Sequence, residues 1–211
     1  MQRIINDLNI FLDGDDKKPP IIFVHGFPFD HFMWDKQVKE FGKDYYCIRY
    51  DIRGLGSSSA GNGQFTMEMF VDDLELIVNG LMLNKTILCG LSMGGYISLR
   101  AVERMPEKFS TLILCDTKSA ADDNEGKLKR AAAIKQINSG DIESFIDAFV
   151  LNCFGEKFVK ENSAEYRKVV DRSKTNNPIG VKGCLLAMVS RTDTTESLSN
   201  IKIPTLVICG S

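Results

Sequence analysis

The chain has 211 residues, of which 44% are hydrophobic and 26% charged, and its formal net charge is −2. That composition suffices for one packed core with a small appended unit. It excludes nucleic acid or an anionic membrane as the main partner, because no Lys/Arg cluster is dense enough; Lys127 to Lys135 reads as the solvated face of a helix. Met1 to Asp7 is too polar and short for a signal peptide, and no run approaches the ~20 apolar residues of a membrane span. A soluble cytoplasmic protein is expected. The six cysteines form no CxxC pair, which argues against zinc or a thioredoxin-like site. Cys89, Cys115 and Cys209 lie near the ends of apolar runs and read as buried free thiols.

In chain order, Ile4 to Leu12 alternates weakly and reads as an edge strand ending at Asp13-Gly14. Ile21 to Val24 is a short continuous apolar run, the pattern of a strand buried on both faces. A helix is predicted from about Asp30 to Phe41, with Gly42 as its stop, then a strand from Tyr45 to Tyr50. Thr66 reads as an N-cap, followed by Phe70, Leu74, Ile77, Val78 and Leu81 at helical spacing. Thr86 to Cys89 and Thr111 to Cys115 are further strands, separated by a helix over Tyr96 to Met105 that stops before Pro106.

This alternation predicts an α/β protein with a doubly wound, mostly parallel sheet. The rhythm fails between about Ala121 and Asn200, where no convincing strand occurs. One helical stripe there runs over Ile142, Phe145, Ile146, Phe149, Val150 and Cys153, with Asp141 as a cap; another runs over Val181, Cys184, Leu185 and Met188 and starts at Asn177-Pro178. Both suit core packing. The expected organisation is a core over residues 1–120, a helical lid over 121–200, and a return to the core over 201–211 through a strand at Ile203 to Cys209.

The sharpest chemical signal is Gly90-Leu91-Ser92-Met93-Gly94-Gly95. A lone GxSxG is weak, but this one follows a buried strand and opens a helix. Such a turn lifts the Ser92 hydroxyl clear of the sheet, and the Met93 backbone N–H can stabilise an oxyanion beside it. The bland alternative is a glycine-rich strand-to-helix turn without catalysis. His25-Gly26-Phe27-Pro28 is the second signal, a loop able to bring the Phe27 N–H to the same place.

With these pieces in view, the chain resembles the α/β-hydrolase superfamily, and within it the cofactor-free esterase, 3-oxoadipate enol-lactonase and haloperoxidase group. Asp51-Ile52-Arg53-Gly54-Leu55-Gly56-Ser57-Ser58, Leu114-Cys115-Asp116-Thr117 and Ile203 to Gly210 carry the resemblance along with the two motifs above. It implies a serine hydrolase of small carboxylic esters or lactones, with no metal or organic cofactor. Ser92 is the implied nucleophile, with Phe27 and Met93 as oxyanion donors and Asp51 and Arg53 structural. Trp34, Phe145 and Met188 are candidate lining residues of a pocket beneath the lid, against the simpler reading that they are core.

The resemblance also implies an acid after the seventh strand and a histidine after the eighth, and the sequence has neither. Its two histidines are His25, in the oxyanion loop, and His31, expected to be exposed at a helix start. Asp116 is an alternative acid but has no histidine to orient. The expectation is therefore a C-terminally truncated hydrolase, its last strand and helix missing, impaired or inactive, with an exposed sheet edge prone to self-association. Three other readings stay open: a perhydrolase or C–C hydrolase of the same fold, a ligand-binding member without catalysis, and a site completed by a second chain.

Overall fold

The computed structural model describes residues 1–210. The chain opens with two strands, β1 (Gln2–Ile5) and β2 (Leu8–Asp13), paired antiparallel, where the sequence suggests a single edge strand. The reversal falls at Asn6 and Asp7, both at positive φ (49° and 63°). Asn and Asp tolerate this left-handed backbone better than other non-glycine residues.

There follow β3 (Pro20–Val24), α1 (Asp35–Phe41), β4 (Tyr46–Tyr50), α2 (Met67–Gly80), β5 (Thr86–Leu91), α3 (Met93–Arg104) and β6 (Phe109–Cys115). The helix expected from Asp30 splits: Asp30 caps a 3-10 turn over His31–Trp34 by accepting from the Phe32 N–H, and α1 continues from Asp35. Thr66 caps α2 through the Met69 N–H, as its position before the apolar stripe suggests. Beyond β6 come α4 (Asn124–Asn138), α5 (Ile142–Leu151), α6 (Glu156–Glu161), α7 (Ser163–Lys174) and α8 (Pro178–Val189), and the chain returns as β7 (Thr205–Ile208). Asn177 caps α8 ahead of Pro178. Asp141 stands at the N-cap position of α5, as expected, and its carboxylate also accepts from the Gln136 amide at 2.8 Å.

The seven strands run in the order β1-β2-β4-β3-β5-β6-β7, parallel from β4 to β7. Alternation along β3 sorts side chains between two cores. Ile22 and Val24 join a large cluster with Leu74, Ile77 and Ile97 from α2 and α3. Ile21 and Phe23 join a smaller one with Trp34, Val38 and Cys89 on the face covered by α1. Each such side chain contributes about 1.5–3 kcal/mol by leaving water, so the large cluster dominates stability. Truncating the fully buried Leu74 to Ala would cost about 2–5 kcal/mol.

The parallel order places the C-terminal ends of β3, β5 and β6 side by side, and the turns leaving them build the candidate site. Among the described residues β7 is the edge strand, so Leu206, Val207 and Ile208 are exposed. For the same reason Cys209 is exposed rather than buried; Cys115 is half-buried and Cys89 buried, while of the others Cys47 and Cys184 are buried and Cys153 is exposed.

Candidate active site

Ser92 sits between β5 and α3 at φ 51° and ψ −111°, outside the comfortable regions for a residue with a side chain. Its surroundings hold it there. Its N–H donates to the Cys115 carbonyl at 2.9 Å, and its own carbonyl accepts from the Gly95 and Tyr96 N–H groups and the Thr117 hydroxyl. A Cβ on Gly94 would strike the carbonyls of Val24 and His25, so only glycine lets α3 approach β3 this closely. The helix therefore begins at Met93, three residues earlier than its apolar pattern suggests.

Gly26 crosses beside the serine: a Cβ there would lie 3.5 Å from Ser92 Cβ and 2.9 Å from Leu91 Cδ2. The turn after β3 thus brings Phe27 to the start of α3, next to Met93, and both side chains are buried. The Phe27 ring meets Phe149 edge-on at 5.1 Å and Phe145 at 6.3 Å, both from α5. Phe149 belongs to the stripe read as core, and only the tertiary fold puts it against Phe27. Met188 lies in the same cluster with its sulfur 3.2 Å from Arg130 Nη1. Trp34 is elsewhere: it packs on Phe23 at 5.2 Å in the smaller cluster beneath α1, on the opposite sheet face, because the turn over His31–Trp34 directs it there.

His25 is fully buried, and burial pushes its imidazole below the usual histidine range. The neutral ring then spans two backbone groups, donating from Nδ1 to the Gly26 carbonyl at 3.0 Å and accepting at Nε2 from the Ile52 N–H at 2.9 Å. His31 is buried rather than exposed. Its Nδ1 lies 2.7 Å from Asp51 Oδ1, and its ring stacks on Phe11 at 3.5 Å. The long-range pair with Asp51, invisible in local sequence, compensates the burial. Asp51 also accepts from the backbone N–H groups of His31 and Ser57, which fastens the loop after β4 beneath the Phe27 turn. Arg53 pairs with Asp73 of α2 through two hydrogen bonds.

Asp30, His31 and Asp51 are close enough to share a metal ion. Their oxygens are already engaged: Asp30 takes the Phe32 N–H and Arg172, and Asp51 takes His31 and Ser57. A filled hydrogen-bond cluster accounts for this arrangement. Asp116 is exposed at φ 44°, with its N–H on the Ile208 carbonyl at 2.8 Å. The His25 ring is engaged with Gly26 and Ile52 and the His31 Nδ1 with Asp51, and among the described residues no hydrogen bond joins either histidine to Ser92 or Asp116. A cavity of about 510 Å³ separates the Pro28–Asp35 turn from α7, and Ser92 does not line it.

Two side chains matter to this site that sequence reasoning passed over. Thr117 holds the Ser92 carbonyl at 2.8 Å, and Asn176 joins the Phe27 turn to the loop after β4. Asn176 stands one residue before the Asn177 cap, the only local hint that it is anything but a loop residue.

This arrangement, a serine on a strained strand-to-helix turn with a neighbouring loop folded against it, is that of an α/β hydrolase. The family model for the alpha/beta hydrolase fold matches residues 19–211, and the chain belongs to that family. It is 26% identical over 204 residues to 3-oxoadipate enol-lactonase 1 of Acinetobacter baylyi, covering 97% of this chain and 75% of the relative. Among solved structures, a thermophilic esterase from Thermogutta terrifontis matches with a TM-score of 0.91 and 31% identity, over 96% of this chain and 74% of the other. The enol-lactonase of Burkholderia xenovorans LB400 matches with a TM-score of 0.90 over the whole of this chain and 81% of the other; at 24% identity that likeness concerns the fold. Among the described residues no helix is long and apolar enough to cross a membrane.

Proposed function

We propose that the chain carries the nucleophilic and oxyanion elements of a serine hydrolase for small carboxylic esters or lactones. Ser92 Oγ attacks the carbonyl carbon, the alkoxide or enolate leaves, and water hydrolyses the acyl-enzyme. The observation that carries this reading is the backbone of Ser92: φ 51° at a helix start costs of order 1–3 kcal/mol. A module that only bound ligand would gain nothing from that strain.

The N–H groups of Phe27 and Met93 face the developing oxyanion, and the N-terminus of α3 adds partial positive charge. The helices over residues 121–200 act as a lid. Phe145 and Phe149 give an apolar wall beside Phe27, with Met188 behind them. The printed activities of the relatives, enol-lactonase and esterase, support the substrate class. Six free cysteines suit a reducing, cytoplasmic setting.

With these residues alone, turnover is impaired. A serine hydroxyl is a poor nucleophile without an adjacent base, and both histidines are spent on the Phe27 turn and on Asp51. What remains is at most ~10³–10⁴-fold over water, from the oxyanion donors and binding.

The test compares the chain with its Ser92→Ala variant, using a fluorophosphonate probe and an activated aryl acetate followed by intact mass. The expected result is little fluorophosphonate labelling and slow single acetylation at Ser92, lost in the variant. Rapid labelling lost in the variant would overturn the impairment. Acetylation that persists in the variant would overturn the assignment of Ser92.

A further inference from the structure

The Ser92 carbonyl accepts three donors, and they come from two different elements. The Gly95 and Tyr96 N–H groups, at 2.9 and 3.2 Å, belong to the first turn of α3 and travel with that helix. The third and shortest bond comes from the Thr117 hydroxyl at 2.8 Å, in the chain that leaves β6. Thr117 therefore ties the start of α3 to the sheet.

The position of Thr117 is itself fixed from both sides. Before it, Cys115 at the end of β6 accepts from the Ser92 N–H at 2.9 Å. Asp116 then turns the chain at φ 44°, and its N–H donates to the Ile208 carbonyl of β7 at 2.8 Å. A Cβ on Gly95 would lie 2.4 Å from Thr117 Oγ1 and 2.6 Å from its Cγ2, so α3 rests directly on this side chain.

The peptide unit between Ser92 and Met93 is trans and planar, so its C=O and N–H point in opposite directions. A bond that fixes the Ser92 carbonyl therefore fixes the aim of the Met93 N–H at the other side of the same plane. Met93 is the first residue of α3, and an N–H at that position has no acceptor within its own helix.

We infer that Thr117 is a positioning residue: through the Ser92 carbonyl, its hydroxyl aims the Met93 N–H at the developing oxyanion. This rests on the reading of Ser92 as nucleophile and of Phe27 and Met93 as donors given above. Those two donors hang on different elements, the turn after β3 and the start of α3. Gly26 and Gly94 let the elements touch, and Thr117 sets how the Met93 peptide is turned where they meet.

Thr117→Val removes the hydroxyl at nearly constant volume, and Thr117→Ser keeps it. The test compares acetylation of Ser92 by an activated aryl acetate with acylation by the matching thionoacetate, whose sulfur gains little from N–H donors placed for an oxygen anion. In Thr117→Val the acetate rate should fall about tenfold, less than the ~10²–10³-fold of losing a donor outright, while the thionoacetate rate changes less than about twofold. Thr117→Ser should restore the acetate rate. A general loosening of the site would lower both rates together and leave their ratio unchanged. Acetylation at Ser92 with an unchanged ratio in Thr117→Val, or with no recovery in Thr117→Ser, would overturn the role of Thr117 alone. Absence of acetylation at Ser92 in the parent chain would overturn the reading of the serine, and this inference with it.

Discussion

Asn176 binds Pro28: its buried side-chain amide donates to the Pro28 carbonyl at 2.7 Å while its oxygen accepts from the Gly56 N–H at 2.8 Å. A residue from the turn between α7 and α8 thereby fixes the turn that carries Phe27. Arg172 reinforces the link, donating to Asp30 at 2.5 Å and lying 3.4 Å above the Phe32 ring.

Asn176→Ala leaves the Pro28 carbonyl and the Gly56 N–H without partners. The Pro28 carbonyl is buried, and such an orphan costs about 1–3 kcal/mol, whereas Gly56 is exposed and its N–H turns to water, so a loss of about 1–3 kcal/mol is expected in urea unfolding. Amide exchange at Phe27 should quicken in the same variant. A loss below ~0.5 kcal/mol would mean that the turn holds itself.

Ser92→Gly should stabilise the protein by about 1 kcal/mol, because glycine adopts φ 51° without strain. Ser92→Ala keeps the Cβ and should stay near the parent. Equal stability of the two variants would show that no strain is held at this turn.

Burial pushes the Asp51 carboxyl up, but the His31 hydrogen bond and the backbone N–H groups of Ser57 and His31 outweigh it, leaving it below the usual carboxylate range. A depressed folded value makes the stabilisation full above the unfolded value of about 3.9 and lost as pH falls through the folded one. Asp51→Asn should therefore be destabilised by a constant margin above about pH 5, and the margin should narrow below about pH 4. Urea melts across that range check the sign; a margin that widens on acidification would contradict it.

Among the described residues β7 is an edge strand, and it carries Leu206, Val207 and Ile208, exposed at 51%, 67% and 51% with no charge between them. Such an edge invites strand pairing between copies. Sedimentation velocity should show concentration-dependent self-association that Val207→Lys reduces. A parent chain that is monomeric at every concentration would dispose of the idea.

Much of the frame was legible because its causes are local. Thr66 and Asn177 cap helices within three residues of themselves, and Ile21 to Val24 is apolar throughout because both faces of β3 are covered. The His31 error has the opposite cause. A histidine at a helix start is ordinarily solvated, and only the pairing of β4 beside β3 delivers Asp51, 20 residues on, to bury it. Trp34 misled in the same way, since the twist of a short 3-10 turn decides which sheet face receives its ring.

The sequence by itself determined the strand–helix alternation, the glycines that admit the Ser92 turn, and the shortage of histidine, since backbone sterics and composition act without reference to distant partners. The tertiary structure alone decided that Phe27, Phe145 and Phe149 meet, that Asn176 reaches Pro28 across 148 positions, and that Arg191 lies over Tyr96 with an unmet N–H. Those contacts depend on strand order and on where the insertion folds back, and the free energy that selects them is the burial of the whole core rather than the preference of any one segment.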